Sequence, residues 1–213
     1  LELEETAGLV GAAGWALCGF ISFWIHWPLG VTAAWLPLVL LGGRRVVVRP
    51  GLASGVLLTA VLTMVMLAGH PETAVHLVAF GVLWAGVEWM LLRFRSPRLV
   101  LASGIGAGVF ALALTAVYLL PIYEVLDQSA EYPMRHNFYR TTDRSVPWPE
   151  AGRHAVSLAV PFAHGYPGGP RLEVPFTWGL PATSYAGSLL LPLAAVGIAL
   201  GRDPRRWLLL GFG

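Results

Sequence analysis

Apolar residues in this chain do not alternate with polar ones. They come in long blocks separated by short polar punctuation. A membrane-crossing helix needs about 20 mostly apolar residues. Gly8–Trp27, Gly51–Gly69, Thr73–Leu92, Leu99–Pro121 and Ser184–Gly201 each reach or approach that length. Leu29–Gly42 is apolar but short, and fits a short tilted span, a re-entrant segment or a buried helix. Trp27-Pro28 separates it from the first block, because proline has no N–H with which to continue a helix. Trp207–Phe212 starts a further apolar stretch. The pattern predicts an all-α, polytopic helical membrane protein of about six to seven membrane segments. Its spans lie near residues 8–27, 29–42, 51–69, 73–92 and 99–121. One more helix and the start of the next fall in 184–213.

Arginine placement gives this map a direction. Short cytoplasmic loops collect Arg and Lys. Arg44, Arg45 and Arg49 follow the short segment, Arg93, Arg95 and Arg98 join the 73–92 and 99–121 blocks, and Arg202, Arg205 and Arg206 follow the last full block. If the short segment spans, parity puts the loops 43–50, 93–98 and 201–206 on one side, read as cytoplasmic. The His70-Pro71-Glu72 turn and the segment 122–183 then lie on the other. That segment is too polar to span and too long for a plain connector. It reads as one large extracytoplasmic loop, rich in aromatics, with a short helix near 149–160 opened by Trp148-Pro149-Glu150.

Composition agrees with the pattern and narrows the classes. Of 213 residues, 56% are hydrophobic and only 12% charged, about half the ~25% charge of a soluble domain. Mean hydropathy is +0.65. A disordered chain is excluded. A single cysteine, Cys18, excludes a disulfide framework and a multi-cysteine zinc site. All 14 basic residues are Arg, scattered at a net charge of +2, so there is no nucleic-acid footprint. The chain opens without Met at Leu1-Glu2-Leu3 and stops inside an apolar stretch, so an internal piece of a longer protein is expected.

The candidate chemistry gathers on the non-cytoplasmic side of the map. His70, Glu72 and His76 surround a helix start, and Glu72 and His76 are four apart on one face. They are weak candidates for a divalent metal, and a carboxylate held there can serve as base. The same residues also describe an interfacial turn, with Pro71 opening the helix and Glu72 favouring its N-terminus. Glu124 and Asp127, three apart after Pro121, can position a sugar hydroxyl or a metal, or simply end a helix in solvent. Arg135, Arg140 and Arg144 suit a lipid phosphate through the planar guanidinium fork, though a solvated loop accounts for them equally. Glu88 is the one acid inside an apolar block, where pairing with Arg or snorkelling would lower its cost.

Six short stretches carry a resemblance. They are Leu67-Ala68-Gly69-His70-Pro71-Glu72-Thr73-Ala74, Ala13-Gly14-Trp15-Ala16-Leu17-Cys18-Gly19-Phe20, Leu36-Pro37-Leu38, Tyr118-Leu119-Leu120-Pro121-Ile122-Tyr123-Glu124 with Ser129 following, Val160-Pro161-Phe162-Ala163-His164-Gly165, and Tyr185-Ala186-Gly187-Ser188-Leu189-Leu190-Leu191-Pro192-Leu193. In that set the chain resembles YfhO-type bacterial integral membrane proteins. Ala182-Thr183-Ser184 departs from the family pattern, in which a Glu commonly stands ahead of the Tyr-x-Gly helix start.

The resemblance implies a GT-C-like architecture in the bacterial cytoplasmic membrane. It implies part of a membrane glycosyltransferase moving a sugar from a polyprenyl-phosphate carrier to a cell-envelope glycopolymer, such as teichoic acid, or to a lipid at the outer face. The implied partners are the polyprenyl-phosphate-linked sugar, the cell-envelope acceptor and membrane lipids, and the implied cofactor, if any, is a divalent metal ion. The resemblance places the main catalytic carboxylate upstream of residue 1, leaving Glu72 and Glu124 as the catalytic candidates within the chain. Substrate contacts are expected from His70, Glu72, Glu124, Asp127, Arg135, Arg140 and Arg144. The competing readings are a polytopic transporter or flippase and a non-catalytic membrane scaffold.

Overall fold

The computed structural model describes residues 5–126, 128–129, 133–134, 137, 156, 160 and 190–207. Every element among them is an α-helix. The described helices are α1 (Glu5–Ala16), α2 (Gly19–Trp24), α3 (Pro28–Ala33), α4 (Leu36–Val48), α5 (Leu52–Leu67), α6 (Pro71–Leu91), α7 (Pro97–Leu126) and α8 (Leu190–Leu200). The chain divides into two compact units, one formed by Leu1–Ala34 with Pro147–Gly213, the other by Trp35–Val146.

In the first unit the 8–27 block is not one continuous helix. It breaks at Leu17-Cys18, where Cys18 is extended (φ −63, ψ 154) and α2 begins afresh at Gly19. Trp27 is extended and Pro28 stands in the first turn of α3, as the missing N–H requires. The α2–α3 corner is tight enough that a Cβ on Gly30 would overlap the backbone of Trp24. Thr32, fully buried, donates its hydroxyl to the Pro28 carbonyl at 2.7 Å. In α8 the described helix starts at Leu190, and Arg206 donates to the Ile198 carbonyl at 2.9 Å near its C-terminal end.

The described helices of the second unit, α4 to α7, pack as a four-helix assembly. Val39 lies against Gly81, Gly43 against Ala85, and Arg44 against Glu88, so α4 and α6 run parallel. Gly55 lies against Ser103 and Thr59 reaches Ala107, so α5 and α7 also run parallel. Short connections make the two pairs antiparallel to each other. The packed surfaces are built from small residues. A Cβ on Gly81 would sit 2.5 Å from Cγ1 of Val39, and one on Gly43 would sit 3.3 Å from the Ala85 methyl. On α7 the face toward α5 is Ser103, Ala107, Ala111 and Thr115, repeating every four residues; Ala107, Ala111 and Thr115 are buried. Small residues allow backbones to approach where hydrophobic collapse supplies no drive between helices.

The large apolar residues point the other way. Leu101, Ile105, Val109, Phe110, Leu112, Leu114 and Val117 of α7 are all exposed. Leaving a large apolar side chain in water forgoes roughly 1.5–3 kcal/mol, so these seven together forgo about 10–20 kcal/mol. That equals or exceeds the whole stability of a typical domain, about 5–15 kcal/mol. A helix with small residues inward and Leu, Ile, Val and Phe outward is stable only in an apolar solvent. Three stretches are long and apolar enough to cross a membrane: Pro28–Val48, Pro71–Leu91 and Pro97–Leu126. The first comprises α3 and α4. Helices α5 and α8 are apolar but shorter. The protein is therefore a membrane protein with an all-helical described fold.

The α7 helix runs past the Pro121 boundary expected from the sequence and ends at Leu126. Its 30 residues correspond to about 45 Å. Residues 122–126, assigned to the loop by composition, are thus helical. Of the short helix expected near 149–160, only Val156 and Val160 are described; the Val160 N–H donates to the Val156 carbonyl at 3.0 Å, one α-helical turn.

Candidate functional site

Chain direction sorts the polar groups of the second unit by end. The C-terminal turns of α4, the α4–α5 and α6–α7 connections and the first turn of α7 share one end, which carries Arg44, Arg45, Arg49, Arg93, Arg95 and Arg98. The α5–α6 turn and the C-terminus of α7 point to the other, carrying His70, Glu72, His76 and Glu124.

The His70 turn is explained locally, residue by residue. Gly69 has φ +92, a conformation that ends α5 and favours glycine. His70 is extended (φ −123, ψ 90) and caps α6: its Nδ1 accepts from the Thr73 backbone N–H at 3.2 Å. The Thr73 hydroxyl is 2.8 Å from the same nitrogen. Pro71 opens the helix and Glu72 places a negative charge on its N-terminal turn, where the helix dipole favours it. Accepting at Nδ1 leaves the imidazole proton on Nε2. In this half-buried histidine Nε2 is then a hydrogen-bond donor, and the Nδ1 lone pair is committed to the cap.

Glu72 and His76 are exposed, on a face of α6 turned away from its buried residues Ala74, Leu77, Gly81, Trp84 and Glu88. Among the described residues no group of three His, Cys, Asp or Glu side chains converges to hold a metal ion. Of the weak metal candidates His70, Glu72 and His76, the Nδ1 of His70 is taken by the cap, and Glu72 and His76 are exposed.

Glu124 is exposed near the end of α7, beside Tyr123, which is also exposed. The Thr59–Ala107 pairing sets α5 and α7 in a register that puts Leu67 level with Thr115. Glu124 lies nine residues further, about 13 Å along the axis at 1.5 Å per residue. The structure thus places Glu72 and Glu124 at the same end of the unit but at different depths. Asp127, Arg135, Arg140 and Arg144 lie outside the described residues.

At the opposite end, Glu88 is buried (3% exposed) and its Oε1 lies 3.8 Å from Nε of Arg44. The arginine partner comes from α4, not from the neighbouring Arg93, because the parallel packing of α4 on α6 brings Arg44 to that level. Trp89 anchors the connection that follows. Its indole N–H donates to the Arg95 carbonyl at 3.0 Å, its carbonyl accepts from the Phe94 N–H at 2.9 Å, and its ring meets Phe94 edge-on at 5.2 Å. Arg93, Phe94 and Ser96 all have φ near +50, each costing on the order of 1–2 kcal/mol for a residue with a Cβ. No residue in the 92–96 segment signals this strained turn, which contains no glycine.

This chain matches no known family model, no curated protein and no solved structure, so the case for what it does rests on its own residues and on their geometry.

Proposed function

We propose that this chain is part of a membrane glycosyltransferase acting at the outer face of the bacterial cytoplasmic membrane. It moves a sugar from a polyprenyl-phosphate carrier to a cell-envelope glycopolymer or lipid. The wider architecture in this reading is GT-C-like, with six to seven membrane segments and a large extracytoplasmic loop over 122–183. The observation that carries the reading is the segregation of charge along one bundle. Among the described residues of the second unit, six Arg lie at one end, and His70, Glu72 and Glu124 lie at the other. By the preference of Arg for the cytoplasmic side, the His and Glu end faces out. Two of the six YfhO-like stretches, the His70 turn and the Pro121–Glu124 segment, fall at that end.

The chemistry follows from the donor. A polyprenyl chain stays in the bilayer, so transfer occurs at its edge. An acceptor hydroxyl attacks the anomeric carbon with inversion, its proton passes to a carboxylate, and the carbon–oxygen bond to the lipid phosphate breaks. Arg135, Arg140 and Arg144 are the phosphate candidates, with a divalent metal as an alternative source of charge stabilisation. The Nε2–H of His70 and the carboxylates of Glu72 and Glu124 serve as positioning groups for sugar or acceptor.

The test uses membranes carrying the full-length protein and a radiolabelled polyprenyl-phosphate sugar. Glu72→Gln and Glu124→Gln are expected to lower transfer by about 10²-fold or more at normal protein levels, the usual scale for groups acting in proton transfer or orientation. Unchanged transfer in both variants would remove these carboxylates from the mechanism, and loss of assembly with intact transfer would support the scaffold reading.

A further inference from the structure

Helices α6 and α7 are joined by a short connection, yet between them runs a groove floored by α4 and α5. Its volume is about 440 Å³, within the ~300–1,000 Å³ of small-ligand sites. Its walls are apolar and rich in glycine: Gly43, Gly81, Gly86, Gly104 and Gly108 open the space, and Trp89 closes one end. Along α7 the lining runs from Val100 to Gly108 and along α6 from Val78 to Trp89, about 12–17 Å at 1.5 Å per residue. That length matches one leaflet, half of the ~30 Å hydrocarbon core.

The groove ends at the Arg-bearing end of the unit. Trp89 binds the Arg95 carbonyl directly, so the connection carrying Arg93, Arg95 and Arg98 is fastened to the groove's end wall. Those three are exposed, as are Arg45 and Arg49 on the adjacent α4–α5 connection. Neither connection, 43–50 nor 92–98, contains an Asp or Glu. We propose that this groove binds one acyl chain of an anionic phospholipid, with the lipid phosphate held among the arginines of the α6–α7 and α4–α5 connections. The proposal depends on the second unit being in a membrane and is independent of glycosyl transfer.

Charge favours an anionic lipid over a helix from a second copy: the groove is apolar along its length, and the connections at its end carry exposed arginines and no acid. The rim residues Val82 and Ile105 are exposed and apolar, so the acyl chain can enter sideways from the bilayer.

Glycines make the test clean. A Cβ on Gly86 or Gly108, which line the groove, meets nothing within 4 Å. Gly86→Leu and Gly108→Leu therefore place a side chain at the groove wall with no clash at its Cβ. Gly106 also meets nothing within 4 Å but is outside the lining, and Gly106→Leu is the control. The full chain is purified in mild detergent, equilibrated with equal phosphatidylglycerol and phosphatidylcholine, and examined by native mass spectrometry. Helical content and size are checked for each variant.

The wild type and Gly106→Leu are expected to retain phosphatidylglycerol in preference to phosphatidylcholine. Each groove-filling variant is expected to lose bound lipid on the order of tenfold or more, because chain burial drives the binding. Changing Arg93, Arg95 and Arg98 to Ala is expected to reduce the preference for the anionic lipid on the order of tenfold. Equal lipid retention in the groove variants and the control overturns the proposal. So does a wild-type dimer that dissociates on groove filling while lipid binding is unchanged, because the groove then belongs to a second copy.

Discussion

His70 caps α6 and is proposed to contact substrate, and a substitution can separate the two roles. As a cap it needs only an acceptor toward the Thr73 N–H; the proposed contact needs the Nε2–H donor. His70→Ala is expected to lower stability by about 1 kcal/mol through loss of the cap. Asn supplies a capping oxygen, so His70→Asn is expected to restore the detergent melting temperature. If sugar transfer recovers with stability in the Asn variant, the histidine is only a cap; the proposed role requires transfer to remain low. A second contrast concerns Arg44 and Glu88. Removing Arg44 takes a charge partner from a carboxylate that is 3% exposed, whereas removing Glu88 leaves an arginine whose side chain is already 38% exposed. Arg44→Ala is therefore expected to lower the melting temperature more than Glu88→Gln, by the asymmetry of breaking a buried pair from its more exposed side. Equal losses would mean that both groups are similarly solvated. The sequence showed Glu88 as an isolated acid in want of an arginine, but not which one. That choice is set by the register of α4 on α6, a relation between segments about forty residues apart.

Helix boundaries were legible where a residue with a hard rule stood at the break. Pro28, Gly69, Pro71 and Pro97 each mark an end as their backbone chemistry demands. The break at Leu17-Cys18 carried no such marker, and the 8–27 block, apolar throughout, read as one span. Pro121 misled in the other direction. A proline removes one hydrogen bond, but the four residues before it and the five after it keep helical geometry, so α7 continues to Leu126. The glycines of α4 and α6 show why packing was hidden. In an apolar block they look like ordinary small residues, yet Gly81 lies where a Cβ would press on Val39. Gly81→Leu is expected to separate α4 from α6 and cost about 1–3 kcal/mol or more, the range for overpacked cores. Gly106→Leu, in open space, is expected to cost much less. A detergent-melting comparison of the two checks this, and equal behaviour would contradict close packing at Gly81.

The whole molecule follows from solvent quality. A chain with small residues between its helices and large apolar residues outside them has inverted the pattern of a water-soluble core, and only a bilayer makes that arrangement stable. Among the described residues of the second unit, polar groups then collect at the ends, with arginines at one and His70, Glu72 and Glu124 at the other. Reading arginine loops along the sequence was enough to suggest this division, because alternation of direction follows from connectivity. Depth was not legible. The offset of Glu124 from the His70 turn depends on the α5–α7 register, which small residues set and no linear pattern displays.

The most direct measurement is the side of the membrane on which each end of the second unit lies. With Cys18 replaced by Ser, single cysteines are introduced as Glu72→Cys and Ser96→Cys, both exposed positions at opposite ends of α6. Intact cells and permeabilised cells are then treated with a membrane-impermeant maleimide. The account expects Glu72→Cys to be labelled in intact cells and Ser96→Cys only after permeabilisation. Labelling of both from the same side would contradict a membrane-crossing α6, and labelling of Ser96→Cys alone in intact cells would reverse the orientation and remove the basis for an outer-face site.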